Sequence, residues 1–144
     1  MAQRRKAAAA QVSDRDYARL LAVRTGLRQF ERWSAEQAAA HGVTASQHQL
    51  LLAVRGHDEQ QGPTISQVSD YLLIRHHSAV ELADRTERAG LIERVRDAED
   101  HRAVRLRLSA EGERILAALT GAHLEELARL TALFQSLIGT LTVQ

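Results

Sequence analysis

The chain of 144 residues has no cysteine, and that absence excludes disulfide scaffolds, thiolate metal sites and thiol-based redox sensing together. Its aromatics are one tryptophan, two tyrosines and two phenylalanines, too few and too scattered for a single-strand stacking platform. One proline and eight glycines leave little to interrupt helices in a chain dominated by Ala, Leu, Glu and Arg. No apolar run reaches the length of a membrane span, and Arg4, Arg5 and Lys6 precede only an alanine tract, too weakly apolar for a secretory core. No membrane partner and a cytoplasmic location are therefore expected. The pattern holds no nucleophile elbow, phosphate-cradling glycine loop or metalloprotease helix, so neither catalysis nor a cofactor is expected. No two of the seven histidines stand three or four apart on a helix, and His41, His48, His57 and His123 assemble into no ligand set. A metal-responsive sensor thus stays an alternative only. The formal charge is +1, with Lys6 the only lysine, so an electrostatic case for nucleic acid rests on where the arginines sit.

What is present is periodic. Residues 1–12 are basic and alanine-rich without caps or large apolar groups, and read as a flexible arm. Leu20, Val23, Leu27 and Phe30 then recur at helical steps, one face of a long helix from about 16 to 40 that His41-Gly42 stops. Thr44 with Gln47 and Thr64 with Gln67 are capping boxes that open two more helices. Leu50, Leu51 and Val54 make the buried face of the first, and Ile65, Val68 and Tyr71 that of the shorter second. Leu72-Leu73-Ile74 reads as a turn. A longer helix follows from about 75 to 89, with Ala79, Leu82, Ala83 and Thr86 inward, and Gly90 caps it.

After Gly90 the period falls to two. Leu91, Glu93 and Val95, then Val104, Leu106 and Leu108, alternate with Ile92, Arg94 and Arg96, then Ala103, Arg105 and Arg107. Two short strands are expected, sharing a core face and an arginine face around a polar hairpin at 97–102. From Ser109 the helical pattern returns with more apolar surface than one chain of this size buries; a break is expected at Thr131, or else at Gly121. The leftover faces of 13–42 and 109–144 are best covered by a second copy, making them dimerisation helices. Helix, short helix, turn, long helix and hairpin is the order of a winged helix-turn-helix. The fold class is mainly α, with that unit at 43–108 and a two-stranded β wing.

Four consecutive stretches carry a more specific resemblance: His-Ser-Ala-Val-Glu-Leu-Ala-Asp-Arg at 77–85, Glu-Arg-Ala-Gly-Leu-Ile-Glu-Arg at 87–94, Asp-Ala-Glu-Asp-His-Arg at 97–102 and Leu-Arg-Leu-Ser-Ala-Glu-Gly at 106–112. In order and spacing they resemble the MarR family of bacterial regulators, the multiple-antibiotic-resistance type. The resemblance implies a homodimer whose two recognition helices enter successive major grooves of a pseudo-palindromic double-stranded DNA operator. It also implies a wing in the minor groove and release by a small aromatic or anionic effector. By the same resemblance Asp100 steadies the wing loop and Arg102 faces the minor groove. His101 departs from the family's second basic residue, which implies weaker or pH-tuned wing binding, and Thr86 departs from an expected leucine, which implies looser packing of its helix.

The candidate DNA-binding residues are therefore Ser66 and Gln67, which could bond phosphates or only cap, and Arg75, His76, His77 and Ser78 at the start of the recognition helix. Arg85, Arg94, Arg96, Asp100, His101 and Arg102 complete the set, with intrastrand pairing of the strand arginines to Glu99 and Asp100 as the plain alternative. Trp33 and His48 are candidates for an effector cleft. A winged-helix protein-interaction dimer without DNA binding is the other reading, since acidic and basic residues nearly balance from 63 to 108.

Overall fold

The structure, a computed structural model, describes residues 11–138; the arm expected at 1–12 lies almost wholly outside them. Helix α1 spans Asp14–Ala40, α2 Ala45–Gly56, α3 Ile65–Leu72 and α4 His76–Arg88. Strands β1, Ile92–Arg96, and β2, Val104–Leu108, form an antiparallel hairpin, and α5 runs Ala110–Ile138.

The described chain divides into two units, and residues 34–122 form the larger. Its core joins Leu50, Leu51 and Val54 of α2, Val68 of α3, Leu82 and Ala83 of α4, Ile92, Leu106 and Leu108 of the sheet, and Ile115, Leu116 and Leu119 of α5. Each fully buried Leu or Ile contributes about 1.5–3 kcal/mol, so this cluster fixes the positions of α2, α4 and the sheet. Local chemistry sets where the elements begin. Both expected capping boxes form: Thr44 Oγ1 accepts from Gln47 N at 3.1 Å while Gln47 Oε1 accepts from Thr44 N at 3.0 Å, and Thr64 and Gln67 repeat the exchange at 3.3 and 2.9 Å. Between α3 and α4 the chain turns through Leu73, whose φ of 54° is left-handed and whose side chain is 91% exposed.

The motif Leu108-Ser109-x-x-Gly112 has a mechanical basis. Ser109 Oγ donates to Gly90 O at 2.6 Å and accepts from Gly112 N at 3.0 Å, and Ser109 N donates to Leu91 O at 3.0 Å. A Cβ on Gly112 would run into the Leu91 carbonyl, so the α5 start can close on the α4–β1 junction only with glycine there.

Four expectations are corrected. The face of β1 is shifted by one residue: Ile92, paired with Leu108, is the buried strand residue, while Glu93 is exposed and Val95 half-buried. Leu91 is buried as well, just before the strand, and this doublet breaks the alternation. Tyr71 is not inward but 53% exposed, because its ring meets His57 edge-on and its hydroxyl lies 2.8 Å from His57 Nδ1. The C-terminal segment has no break at Thr131 or Gly121; α5 is one helix, and the Thr131 hydroxyl donates within it to Leu127 O at 2.8 Å. Thr86 does not loosen α4: it is fully buried, and its hydroxyl donates to Leu82 O at 2.7 Å.

The other unit comprises residues up to 33 and from 123 onward. Within it Phe134 packs on Gly26, and Phe30, Trp33 and His123 cluster with ring centroids 4.8–5.9 Å apart. Tyr17, Leu20, Leu21, Leu124, Leu127 and Leu133 are all more than 40% exposed, an apolar surface the chain by itself leaves in water.

Candidate nucleic-acid interface

Helix α4 buries Ala79, Leu82, Ala83 and Thr86 and turns its other face outward. Arg75, His76 and His77 are exposed at its start, Ser78 is half-buried, and Glu81, Arg85 and Arg88 continue the outer face at helical steps. Its 13 residues give it about 20 Å of length. Unlike α2 and α3, this helix has no side-chain cap: Arg75 occupies the N-cap position and makes no capping bond. The first amides of α4 thus lack intrahelical acceptors beside a cluster of one arginine and two imidazoles, an arrangement that favours an anion. Ser66 is exposed on α3, whereas Gln67 is occupied by its capping box.

Two of the three acidic groups of α4 are committed to the sheet, while Glu81 stays exposed. Asp84 and Glu87, on α4, hold the guanidinium of Arg94 at 2.6 and 2.7 Å, and Glu87 also accepts from Arg94 N at 3.2 Å. Burial by itself lowers the Arg94 pKa, and the hydrogen bonds that its guanidinium donates to these carboxylates outweigh that and raise it. Arg94 therefore ties β1 to α4, with both terminal nitrogens of its fork engaged.

The wing is organised by a residue the sequence reading passed over. Asp97 is 5% exposed; its Oδ1 accepts from Asp100 N at 3.1 Å and from Glu99 N at 2.8 Å, and its Oδ2 from Arg105 Nε at 2.9 Å. Those amide bonds and Arg105 hold its carboxyl below the usual range. Arg105 reaches back to Gly62 O and Glu59 Oε2, both at 3.2 Å, and Gln61 Oε1 accepts from Ala98 N at 3.3 Å. Gly62 must be glycine, since its φ is +83° and a Cβ would strike the Leu106 carbonyl. Asp97 could have been found as an aspartate whose side chain takes amides two and three residues on. Glu59 carries no such local signal, being far from Arg105 in sequence. Asp100 has a smaller part, with Oδ1 accepting from Arg102 N at 3.0 Å, and the expected pairing of strand arginines with Glu99 and Asp100 does not form.

Among the described residues no ion pair engages Arg75, Arg85, Arg88, Arg96 or Arg102. His101 and Arg102 stand exposed at the wing tip. Trp33 belongs to the aromatic cluster of one unit, whereas His48 is 6% exposed within the other. No group of three or more His, Asp or Glu side chains among the described residues could hold a metal ion, and no helix among them is long and apolar enough to cross a membrane.

A family model described as the MarR family matches residues 41–103, the stretch from just before α2 to the end of the wing loop, short of β2. Over this segment, less than half of the chain, the sequence is similar to that family. Solved structures extend the likeness to the flanking helices. A crystal structure of a MarR family transcription regulator is 27% identical at a TM-score of 0.70, covering 86% of this chain and 80% of that one. A MarR family protein from Bacillus stearothermophilus is 23% identical, also at 0.70, covering 92% and 86%. The S. aureus MepR–DNA complex is 20% identical at 0.65, covering 85% of each chain. No match appears among curated proteins. Members of the MarR family are transcription regulators rather than enzymes, and the winged helix of this chain carries that family's fold.

Proposed function

We propose that this protein is a sequence-specific, duplex-DNA-binding transcription regulator. It acts as a homodimeric repressor that leaves its pseudo-palindromic operator when a small ligand changes the spacing of the two recognition helices. The observation that carries the reading is the division of charge. Asp84 and Glu87 are spent on Arg94, and Asp97 and Glu59 on Arg105, which leaves Arg75, Arg85, Arg96 and Arg102 as exposed, unpaired cations that outnumber Glu81 around an uncapped helix start. A near-neutral chain thereby presents a basic surface. In this reading Arg75, His76, His77, Ser78 and Arg85 meet the major groove with Ser66 beside them, and Arg102, with Arg96 and His101, meets the minor groove. Asp100, Asp97 and Arg94 position rather than touch. The relative solved with DNA supports duplex DNA as the partner.

The test is titration of the protein onto DNA from its own upstream region, and onto random duplex, across a range of salt concentrations. The proposal expects preferential binding with a steep salt slope, and expects Arg102→Ala to lower both affinity and slope, the slope by about one. Equal weak binding to every sequence favours the protein-interaction dimer instead.

A further inference from the structure

His57 lies at the end of α2 with its side chain only 6% exposed, between two elements that the proposed function uses. Its Nδ1 is 2.8 Å from the Tyr71 hydroxyl on α3, just before the turn into the recognition helix. On the other side Nε2 is fully buried with no hydrogen-bond partner, and stands 3.5 Å from Glu59 Oε1. The second oxygen of Glu59 is 3.2 Å from Arg105 Nη1, Arg105 Nε is 2.9 Å from Asp97, and Asp97 receives the wing amides of Glu99 and Asp100. These contacts form an unbroken line from the helix-turn-helix to the wing tip, all inside the larger unit.

We propose that His57 is a positioning residue for the wing, and that taking up a proton on its imidazole tightens the wing loop. A neutral ring can accept the Tyr71 hydroxyl proton on Nδ1 and offer Glu59 only an uncharged N–H, whereas a protonated ring meets Glu59 with a charge-assisted bond, so Glu59 is gripped by His57 through one oxygen and by Arg105 through the other. Histidine is the side chain whose charge changes within about pH 5–8. Asp58, Arg55, Glu113 and Arg107 line the adjoining depression of about 380 Å³, with Arg55 paired to Glu113 at 3.2 Å. Asp97, its carboxyl lowered, remains an anion throughout. The proposal rests on the DNA-binding reading only for its effect on the operator; the coupling itself is a property of the free protein.

The experiment is amide hydrogen exchange at Glu99 and Asp100 in the full chain without DNA, as protection relative to the unstructured rate, from about pH 8 to pH 5.5. Wild type is expected to gain about three- to tenfold protection toward acid, the value of strengthening one hydrogen bond by a charge. His57→Gln should flatten that profile, and Glu59→Gln, at a half-exposed position that spares the core, should flatten it too. His101→Gln, which alters the exposed imidazole on the wing, should keep it. A flat wild-type profile, a profile that survives His57→Gln and Glu59→Gln, or one lost in His101→Gln overturns the proposal. Since no DNA is present, none of these results depends on whether the protein binds an operator.

Discussion

Asp97 accepts two amides and one guanidinium on a single buried carboxylate, and its pKa is lowered mainly by the amides of Asp100 and Glu99 and then by Arg105. A group whose pKa is lower folded than unfolded adds stability that is present above the unfolded value and disappears as pH falls through the folded one. Wild type should therefore melt above Asp97→Asn at pH 7. Thermal melts in acid should show the gap narrowing below about pH 4 and closing once the carboxyl is protonated. A gap unchanged down to that acid limit would remove Asp97 as the anchor of the wing. Thr86 makes a second prediction at this scale. Its side chain is fully buried, and its hydroxyl is bonded back to Leu82 O. Thr86→Val should cost no more than about 1 kcal/mol in denaturant unfolding, whereas Thr86→Leu, the residue the family pattern favours, should cost about 1–3 kcal/mol by overpacking.

Helix starts were legible in the sequence because their causes lie within three residues. Thr44 with Gln47, Thr64 with Gln67 and Ser109 with Gly112 all do in space what their spacing indicates. Contacts set by long-range partners were not legible. The inward face of β1 was misread because Leu91 and Ile92 are both buried, and nothing local shows that Arg94 on the same face as Ile92 meets Asp84 and Glu87 from α4. The continuity of α5 was missed since a threonine reads as a weak helix former, yet here its hydroxyl finds an acceptor inside the helix. Of the candidate site, the exposed start of α4 and the wing tip were readable, while Asp97 and Glu59 were not singled out. The commitment of Arg94 separates it from Arg102 in a measurable way. Partly exposed ion pairs contribute little to stability, so the role of Arg94 is to set the angle between β1 and α4. Arg94→Met should weaken operator binding without changing its salt slope, whereas Arg102→Ala reduces the slope. Equal loss of slope in both variants would make Arg94 a phosphate ligand after all.

For the molecule as a whole, the near-zero formal charge and the exposed apolar residues on α1 and α5 are two parts of one account. In the proposed account a second copy covers the apolar surface, and so doubles the basic surface offered to an operator. Sedimentation should give twice the 16.0 kDa chain mass, and Leu21→Asp combined with Leu133→Asp should yield monomers that bind DNA far more weakly. The most direct measurement of the central claim is a footprint of the wild-type protein on the DNA upstream of its own gene. The account predicts two protected half-sites about 10 base pairs apart, related by approximate two-fold symmetry, with the protection at their outer minor grooves lost in Arg102→Ala. Uniform protection without half-sites, or a footprint that Arg102→Ala leaves intact, would contradict it.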